Sequence, residues 1–189
     1  MIKALFLIIL ALANWSCTGI PGTKSSYHDD FAYGMRWYKR GSCEKALRYW
    51  EPLVEKGDCD AEAWIGLLYF MGGCMPQDQA KAISLWEKAA NGNQPKAQLA
   101  LGDLYYQDDN AHFVYQWCKE CNIDKDITKA YVWYMLGQKS ARYSGEKEYA
   151  ETILKVIKIE MSNEEIQEGD IIVNSWNPTP KDCEPREWW

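Results

Sequence analysis

Apolar residues recur along the middle of the chain at helical spacing, within a two-helix unit that is repeated. In residues 61–92, AEAWIGLLYFMGGCMPQDQAKAISLWEKAANG, an apolar segment leads into a glycine turn and then into an amphipathic segment. A second copy opens with AQLALGDLYY at Ala97, which places Gly66 and Gly102 36 residues apart. A fixed period between roughly 20 and 50 residues indicates a stacked array, in which each unit buries its apolar face against its neighbours.

The second helix of each unit carries a Lys-Ala pair followed by an aromatic residue. Three copies place Ala46, Ala82 and Ala130 in register, with 36 residues between the first two and 48 between the last two. The 12 additional residues form an insertion, which we place within residues 107–121. The central first helices are apolar nearly all round, so we expect them to form an inner layer behind the second helices.

This register predicts a repeat domain over residues 28–176 that ends in a cap. Its units are residues 29–60, 61–96, 97–144 and the cap 145–176. A capping box at Ser162 and Glu165 predicts the start of the last helix, and residues 177–189 follow as a proline-rich tail. The structural positions of the repeat are predicted to be Gly34, Gly66, Tyr69, Ala82, Trp86, Gly102, Tyr105, Ala130 and Trp133.

The N-terminus has the pattern of an export signal. Lys3 precedes an apolar run at residues 4–12, and an A-x-A cleavage site lies at residues 11–13. The run is too short to anchor the mature chain across a bilayer. We therefore predict a signal peptide at residues 1–13, a flexible leader at residues 14–27, and a periplasmic or secreted protein.

The alternative is a bacterial lipoprotein signal that ends at residue 16 and leads to lipidation of Cys17. Asn14 and Trp15 fit that signal poorly. Cysteine parity supports it, because cleavage after Ala13 keeps seven cysteines, whereas a lipidated Cys17 leaves six that can pair completely. The protein would then be held at the membrane by its lipid.

Export permits disulfide bonds between the remaining cysteines. Cys43 and Cys74 both fall in turns between the first and second helices of adjacent units, and stacking brings these turns together. We therefore expect this bridge. Cys59 and Cys74 flank one helix and are held about 20 Å apart, beyond bridging distance. Cys183 could attach the tail to the array, with Cys59 as its partner.

Cys118 and Cys121 form a C-x2-C motif in the insertion, with His112 nearby. A zinc site needs four ligands, and no second pair has suitable spacing. A redox pair would be expected in a strand-helix context, which this sequence lacks. A structural disulfide, either local or to another loop, is the favoured interpretation.

Charge and motif content argue against several classes of function. The net charge of −6 disfavours nucleic acids and anionic membranes as partners. The chain has two histidines, His28 and His112, and no phosphate-binding, zinc-protease or nucleophile-elbow motif. We expect no enzymatic activity, no cofactor and no bound metal.

Ten tryptophans and twelve tyrosines fall mostly at repeat positions, so packing is their first explanation. Tyr38, Phe70 and Tyr106 occupy the same position in successive units. They would form a ladder of binding residues if that side faces a groove, and they would be inter-repeat packing otherwise. The candidate partner-binding residues, including those of the insertion, are Tyr38, Trp64, Phe70, Tyr106, Phe113, Tyr115 and Trp117.

The repeated pattern A-x-x-x-[LI]-G-x-x-Y, followed by K-A-x-x-W-[YE]-K-A-A-x-G, resembles the Sel1-like repeat, a relative of the tetratricopeptide repeat. The match covers about residues 29–141. The resemblance implies an all-α fold, an α/α superhelical solenoid of three to four helix-turn-helix repeats with a C-terminal capping helix. It also implies an adaptor that binds other proteins. Some secreted, cysteine-rich members resemble penicillin binders, but this chain lacks their regular pair of cysteines per repeat.

The sequence therefore predicts an exported solenoid that binds a partner protein in the periplasm or cell envelope. A specific version is an immunity protein that neutralises a basic periplasmic toxin. The alternatives are a general envelope adaptor or host-interaction factor, and a penicillin-binding or β-lactamase-like enzyme.

Overall fold

The computed structural model describes residues 27–107, 123–179 and 183. Within these residues the chain forms eight α-helices and no strand. The helices are α1 Tyr27–Lys39, α2 Cys43–Glu55, α3 Cys59–Met71, α4 Gln79–Asn91, α5 Pro95–Tyr106, α6 Ile127–Ser140, α7 Ser144–Glu160 and α8 Asn163–Ser175. The predicted all-α solenoid is confirmed. The proposed signal peptide and Cys17 lie outside the described residues, as does most of the insertion.

Side-chain caps determine where the helices of the central units begin. Asp58 and Gln94 accept hydrogen bonds from the backbone N–H groups three residues onward and start α3 and α5. Asp78 and Asp126 do the same for α4 and α6. Because the caps lie upstream of the apolar pattern, α3 begins two residues before the unit boundary predicted at residue 61.

Each of the first three units packs its two helices around a glycine. An added Cβ would lie 2.2 Å from the Trp50 ring at Gly34 and 2.8 Å from the Trp86 ring at Gly66. The indole N–H groups of Trp50 and Trp86 each donate to a backbone carbonyl of the first helix, at 3.1 Å in both cases. The missing side chain therefore lets a buried aromatic ring lie directly on the facing helix.

The third unit uses Tyr134 at this position, and the prediction of Trp133 was wrong. A Cβ at Gly102 would lie 3.0 Å from the Tyr134 ring. Trp133 is one residue away and therefore points to another side of α6, where its ring contacts Trp176 at 5.5 Å between centroids. The interval from Ala130 to Tyr134 equals that from Ala82 to Trp86, so the correct register was present in the sequence.

The repeat tyrosines lie at the turn between the two helices of a unit. The carbonyl groups of Tyr69 and Tyr105 accept hydrogen bonds from the backbone N–H of Asp78 and Asp126, both at 3.0 Å. Lysine amines lie over the equivalent aromatic rings in all three units, namely Lys45 over Trp37, Lys81 over Tyr69 and Lys129 over Tyr105. These contacts repeat the geometry of the turn along the array.

The last two helices both pack against α6, and α7 also reaches α5. The predicted capping box of Ser162 and Glu165 opens α8. On α8, Gly169 lies against the ring of Tyr131, and Val173 is buried with Val132 and Leu136. The array therefore ends with α6 covered on two sides.

Two disulfides connect parts of the chain that are distant in sequence. Cys43 is bonded to Cys74, with 5.4 Å between the Cα atoms, as the stacking of adjacent turns predicts. Cys59 is bonded to Cys183, with 5.1 Å between the Cα atoms, and this bond attaches the tail to the start of α3. Both Cα separations are usual for disulfides.

None of the helices in residues 27–107 and 123–179 is both long and apolar enough to cross a membrane.

We predict that Gly66→Ala destabilises the protein by about 1–3 kcal/mol, because its methyl group would enter the space of the buried Trp86 ring. Gly145→Ala is the matched control, since it is also helical and a Cβ there meets nothing within 4 Å. Urea unfolding measures both variants. Equal unfolding midpoints would contradict this account of the repeat glycine.

Candidate binding groove

A groove of about 270 Å³ lies between α3 and α5, with one wall completed by α7. Its lining is mainly apolar and includes three polar side chains. The lining residues are Ala63, Trp64, Leu67, Trp86, Lys96, Leu99, Ala100, Asp103 and Tyr149. We call this set the groove. The groove lies on the face of the solenoid that is formed by the first helices of the units, here α3 and α5.

The two long walls of the groove are equivalent positions of adjacent repeats. Trp64 of α3 corresponds to Ala100 of α5, and Leu67 corresponds to Asp103, each 36 residues later. The second unit supplies bulky apolar side chains, whereas the third supplies a small residue and a carboxyl group. The substitution of alanine at the position that holds tryptophan in the preceding unit leaves space between the two helices.

Asp103 is the buried polar group of the groove. The hydroxyl groups of Tyr134 and Tyr149 both donate to its Oδ1 atom at 2.5 Å. Burial raises the pKa of Asp103 to about 7, and the two hydrogen bonds from the tyrosines partly oppose this shift. The carboxyl group therefore changes its protonation state near neutral pH. Burial also raises the pKa of Tyr134, which remains a hydrogen-bond donor.

Trp64 forms the opposite side of the groove and is held in place by the first unit. Its ring contacts Tyr38 at 5.6 Å and Trp50 at 6.1 Å between centroids. The amine of Lys96 lies over the same ring at 5.5 Å. Trp64 is half-buried, so one part of its surface packs against the first unit and another part lines the groove.

A buried ion pair lies at the start of α3, three residues before the lining residue Ala63. Arg142, in the turn between α6 and α7, lies 3.0 Å from Asp60 on α3, and the side chains are 11% and 6% exposed. Gln94 also donates to Asp60 at 3.1 Å. The same guanidinium group donates to the carbonyl oxygen of Cys183 at 2.8 Å. This network joins the second unit, the third unit, the turn into α7 and the tail.

Two residues of the expected aromatic ladder are not available for binding. Phe70 is fully buried and packs on Trp86 at 5.0 Å between centroids. Tyr106 is 1% exposed, and its hydroxyl group donates to Glu160. Phe70 also packs with Leu101 and Leu104, and Tyr106 with Leu154 and Ile157. These two residues are therefore inter-repeat packing, the second of the two alternatives that the sequence left open. Tyr38 is half-buried and supports Trp64.

Trp64 is therefore the predicted partner-binding residue that lines the groove. The candidates Phe113, Tyr115 and Trp117 lie outside the described residues, as do Cys118 and Cys121. Across residues 27–107 and 123–179, no group of three or more His, Cys, Asp or Glu side chains is arranged to hold a metal ion.

Sequence reasoning missed the polar residues of the groove. Asp103 interrupts the apolar second half of α5 and departs from the leucine at the equivalent position of the preceding unit. That departure was a usable signal. Tyr149 and Arg142 carried no such signal, because each meets its partner only through the packing of α7 or its preceding turn against earlier units.

The fold and the groove define the chain as an α-helical repeat solenoid, a class that typically serves as a non-catalytic scaffold for protein interactions. The Sel1 repeat model matches residues 59–94, 95–110 and 120–134. The chain therefore contains Sel1 repeats, as the repeated sequence pattern predicted.

A solved structure supports the same fold. It is a protective antigen present in uropathogenic Escherichia coli strains that displays an SLR fold, with a TM-score of 0.64 and 15% sequence identity. The similarity covers 81% of this chain and 30% of that chain. The chain therefore corresponds to less than a third of the antigen's length. No curated protein sequence matches this chain.

We predict that Asp103→Asn removes a pH dependence of stability. The folded-state pKa near 7 exceeds the ordinary value of 3.8, so the protonated carboxyl group stabilises the fold at low pH. This contribution is lost as the pH rises from about 4 to 7 and amounts to roughly 4 kcal/mol at most. The unfolding free energies of wild type and variant are measured from pH 4 to pH 8. The free energy of the wild type should fall relative to that of the variant as the pH rises.

Tyr149→Phe is the companion variant, because it removes one of the two donors that favour the carboxylate. Without this donor the pKa of Asp103 should rise further. The unfolding free energy of Tyr149→Phe should therefore keep falling to a higher pH than that of the wild type. Parallel pH profiles for all three proteins would contradict the assignment of the pH dependence to Asp103.

Proposed function

We propose that this chain is exported and that the groove binds a partner protein in the cell envelope. The observation that carries the proposal is the combination of apolar surface and isolated polar groups on one face of a Sel1-repeat solenoid. Binding sites of this kind gain affinity from buried apolar and aromatic contacts. Lys96 and Asp103 would then select among partners through charge and hydrogen bonding.

Export is supported by the N-terminal signal pattern and by the disulfides. Cys43–Cys74 and Cys59–Cys183 are compatible with an oxidising compartment, since cytosolic proteins of mesophiles are generally kept reduced. The two bridges account for four of the seven cysteines and leave Cys17, Cys118 and Cys121. If Cys118 pairs with Cys121, Cys17 is the single cysteine left over, as lipidation would require.

A more specific form of the proposal is that the partner is a basic toxin and that this chain is its immunity protein. The net charge of −6 favours a basic partner through long-range attraction. A small solenoid is also suited to binding at equal stoichiometry. A general envelope adaptor or host-interaction factor would use the same groove but would not require a toxin.

We predict that protein recovered from the native envelope contains both disulfides. Non-reducing digestion followed by mass spectrometry should yield the linked peptides Cys43–Cys74 and Cys59–Cys183. The intact mass of the same sample distinguishes cleavage after Ala13 from lipidation of Cys17. Free thiols at all four paired positions in freshly alkylated cells would contradict export.

We predict that Leu67→Glu abolishes partner binding, because it places a carboxylate in the apolar wall of the groove. Ile171→Glu is the matched control, since it adds the same charge on α8 at a side chain that is 69% exposed. Affinity capture from native envelopes should retain one protein at equal stoichiometry with the wild type and the control, and lose it with Leu67→Glu. Retention by all three proteins would place the binding surface elsewhere.

A further inference from the structure

We propose that the groove is occupied by the chain's own C-terminal residues 184–189, EPREWW, with an indole of Trp188 or Trp189 inserted between α3 and α5. The tail would be an internal competitor that a partner must displace. This inference rests on the proposed function only in naming the groove as the binding site.

The path of the tail leads from the second-helix layer to the first-helix layer. Trp176 lies against Trp133 of α6. The backbone N–H of Thr179 then donates to the carbonyl oxygen of Asn91, at the end of α4, at 2.8 Å. Cys183 is bonded to Cys59 at the start of α3. The chain thus passes over the edge of the array toward the face that carries the groove.

The tail arrives at the end of the groove. Cys59 lies one helical turn before Ala63 and two turns before Leu67, both of which line the groove. Arg142 donates to the carbonyl oxygen of Cys183 and pairs with Asp60 at the same end. The last described residue of the tail is therefore held about one helical turn before Ala63, the first residue of α3 that lines the groove.

The remaining chain is long enough to fill the groove. Leu67 lies about 12 Å along α3 from Cys59, and the Cα atoms of Cys59 and Cys183 are 5.1 Å apart. Six residues follow Cys183, and six extended residues span about 20 Å. Pro185 favours an extended conformation at Glu184, which lengthens the reach.

The chemistry of the tail complements that of the groove. Two indole rings supply apolar surface for the walls formed by Trp64, Leu67 and Ala100. The amine of Lys96 has no carboxylate partner among the described residues and stands at the rim. The tail offers Glu184, Glu187 and the terminal carboxylate for it.

Tethering makes even a weak contact effective. A short linker holds its ligand at an effective concentration on the order of millimolar, so a tail whose free peptide binds with a comparable Kd would occupy the groove about half of the time. The Cys59–Cys183 bond keeps the linker between Cys183 and Trp188 at four residues.

The test uses the full, oxidised chain labelled at leucine, alanine and isoleucine methyl groups. In the double variant Trp188→Ala, Trp189→Ala, the methyl resonances of Leu67, Leu99 and Ala100 should shift, because they lose the ring currents of an indole. The exposed methyl groups of Ile159 and Ile171 should not move. Lys181→Gln, a substitution before Cys183 that leaves residues 184–189 intact, should leave the groove resonances close to those of the wild type.

A second arm adds the synthetic peptide EPREWW. It should restore the wild-type groove shifts in the double variant at millimolar concentration and leave the wild type unchanged. Groove resonances that are identical in the wild type and the double variant, and that do not respond to the peptide, would overturn the proposal. That result would leave the groove open to a partner, and the capture experiment with Leu67→Glu would still decide the proposed function.

Discussion

The packing of a buried aromatic ring on a glycine is the contact on which each unit of this array depends. Trp50, Trp86 and Tyr134 lie on Gly34, Gly66 and Gly102, where an added Cβ would come within 2.2, 2.8 and 3.0 Å of the respective ring. Close approach of the two helices allows the next unit to stack with the same geometry. In the first two units the indole N–H also binds a carbonyl of the facing helix, which satisfies its hydrogen-bonding capacity within the core.

The groove arises where two consecutive copies of the same scaffold differ in side chains. The helix positions of Trp64 and Leu67 recur as Ala100 and Asp103, and the smaller pair leaves space that the backbone geometry alone would not produce. The third unit also replaces the indole with Tyr134, whose hydroxyl group reaches Asp103. The change in the core and the change in the groove are thus connected through one hydrogen bond.

A polar network at the edge of the array joins elements that are distant in sequence. Asp60, Arg142 and Cys183 come from three distant parts of the chain and meet in one nearly buried network. A buried ion pair is costly unless its hydrogen bonds are satisfied, and Gln94 supplies a further bond to Asp60. Together with the Cys59–Cys183 disulfide, the network holds Cys183 against the start of α3.

The sequence by itself determined the helical repeat, its period, the glycine positions and the Cys43–Cys74 bridge, because all of these follow from local periodicity and from the stacking of identical units. The tertiary structure decided which side chains line the groove and that Phe70 and Tyr106 are buried. Neighbouring positions on a helix differ by about 100° in direction, so a contact between distant units depends on the exact rotation of each helix. The meeting of Asp103 with Tyr149, and of Asp60 with Arg142, depends on how the last helices close onto earlier units, which no local pattern encodes.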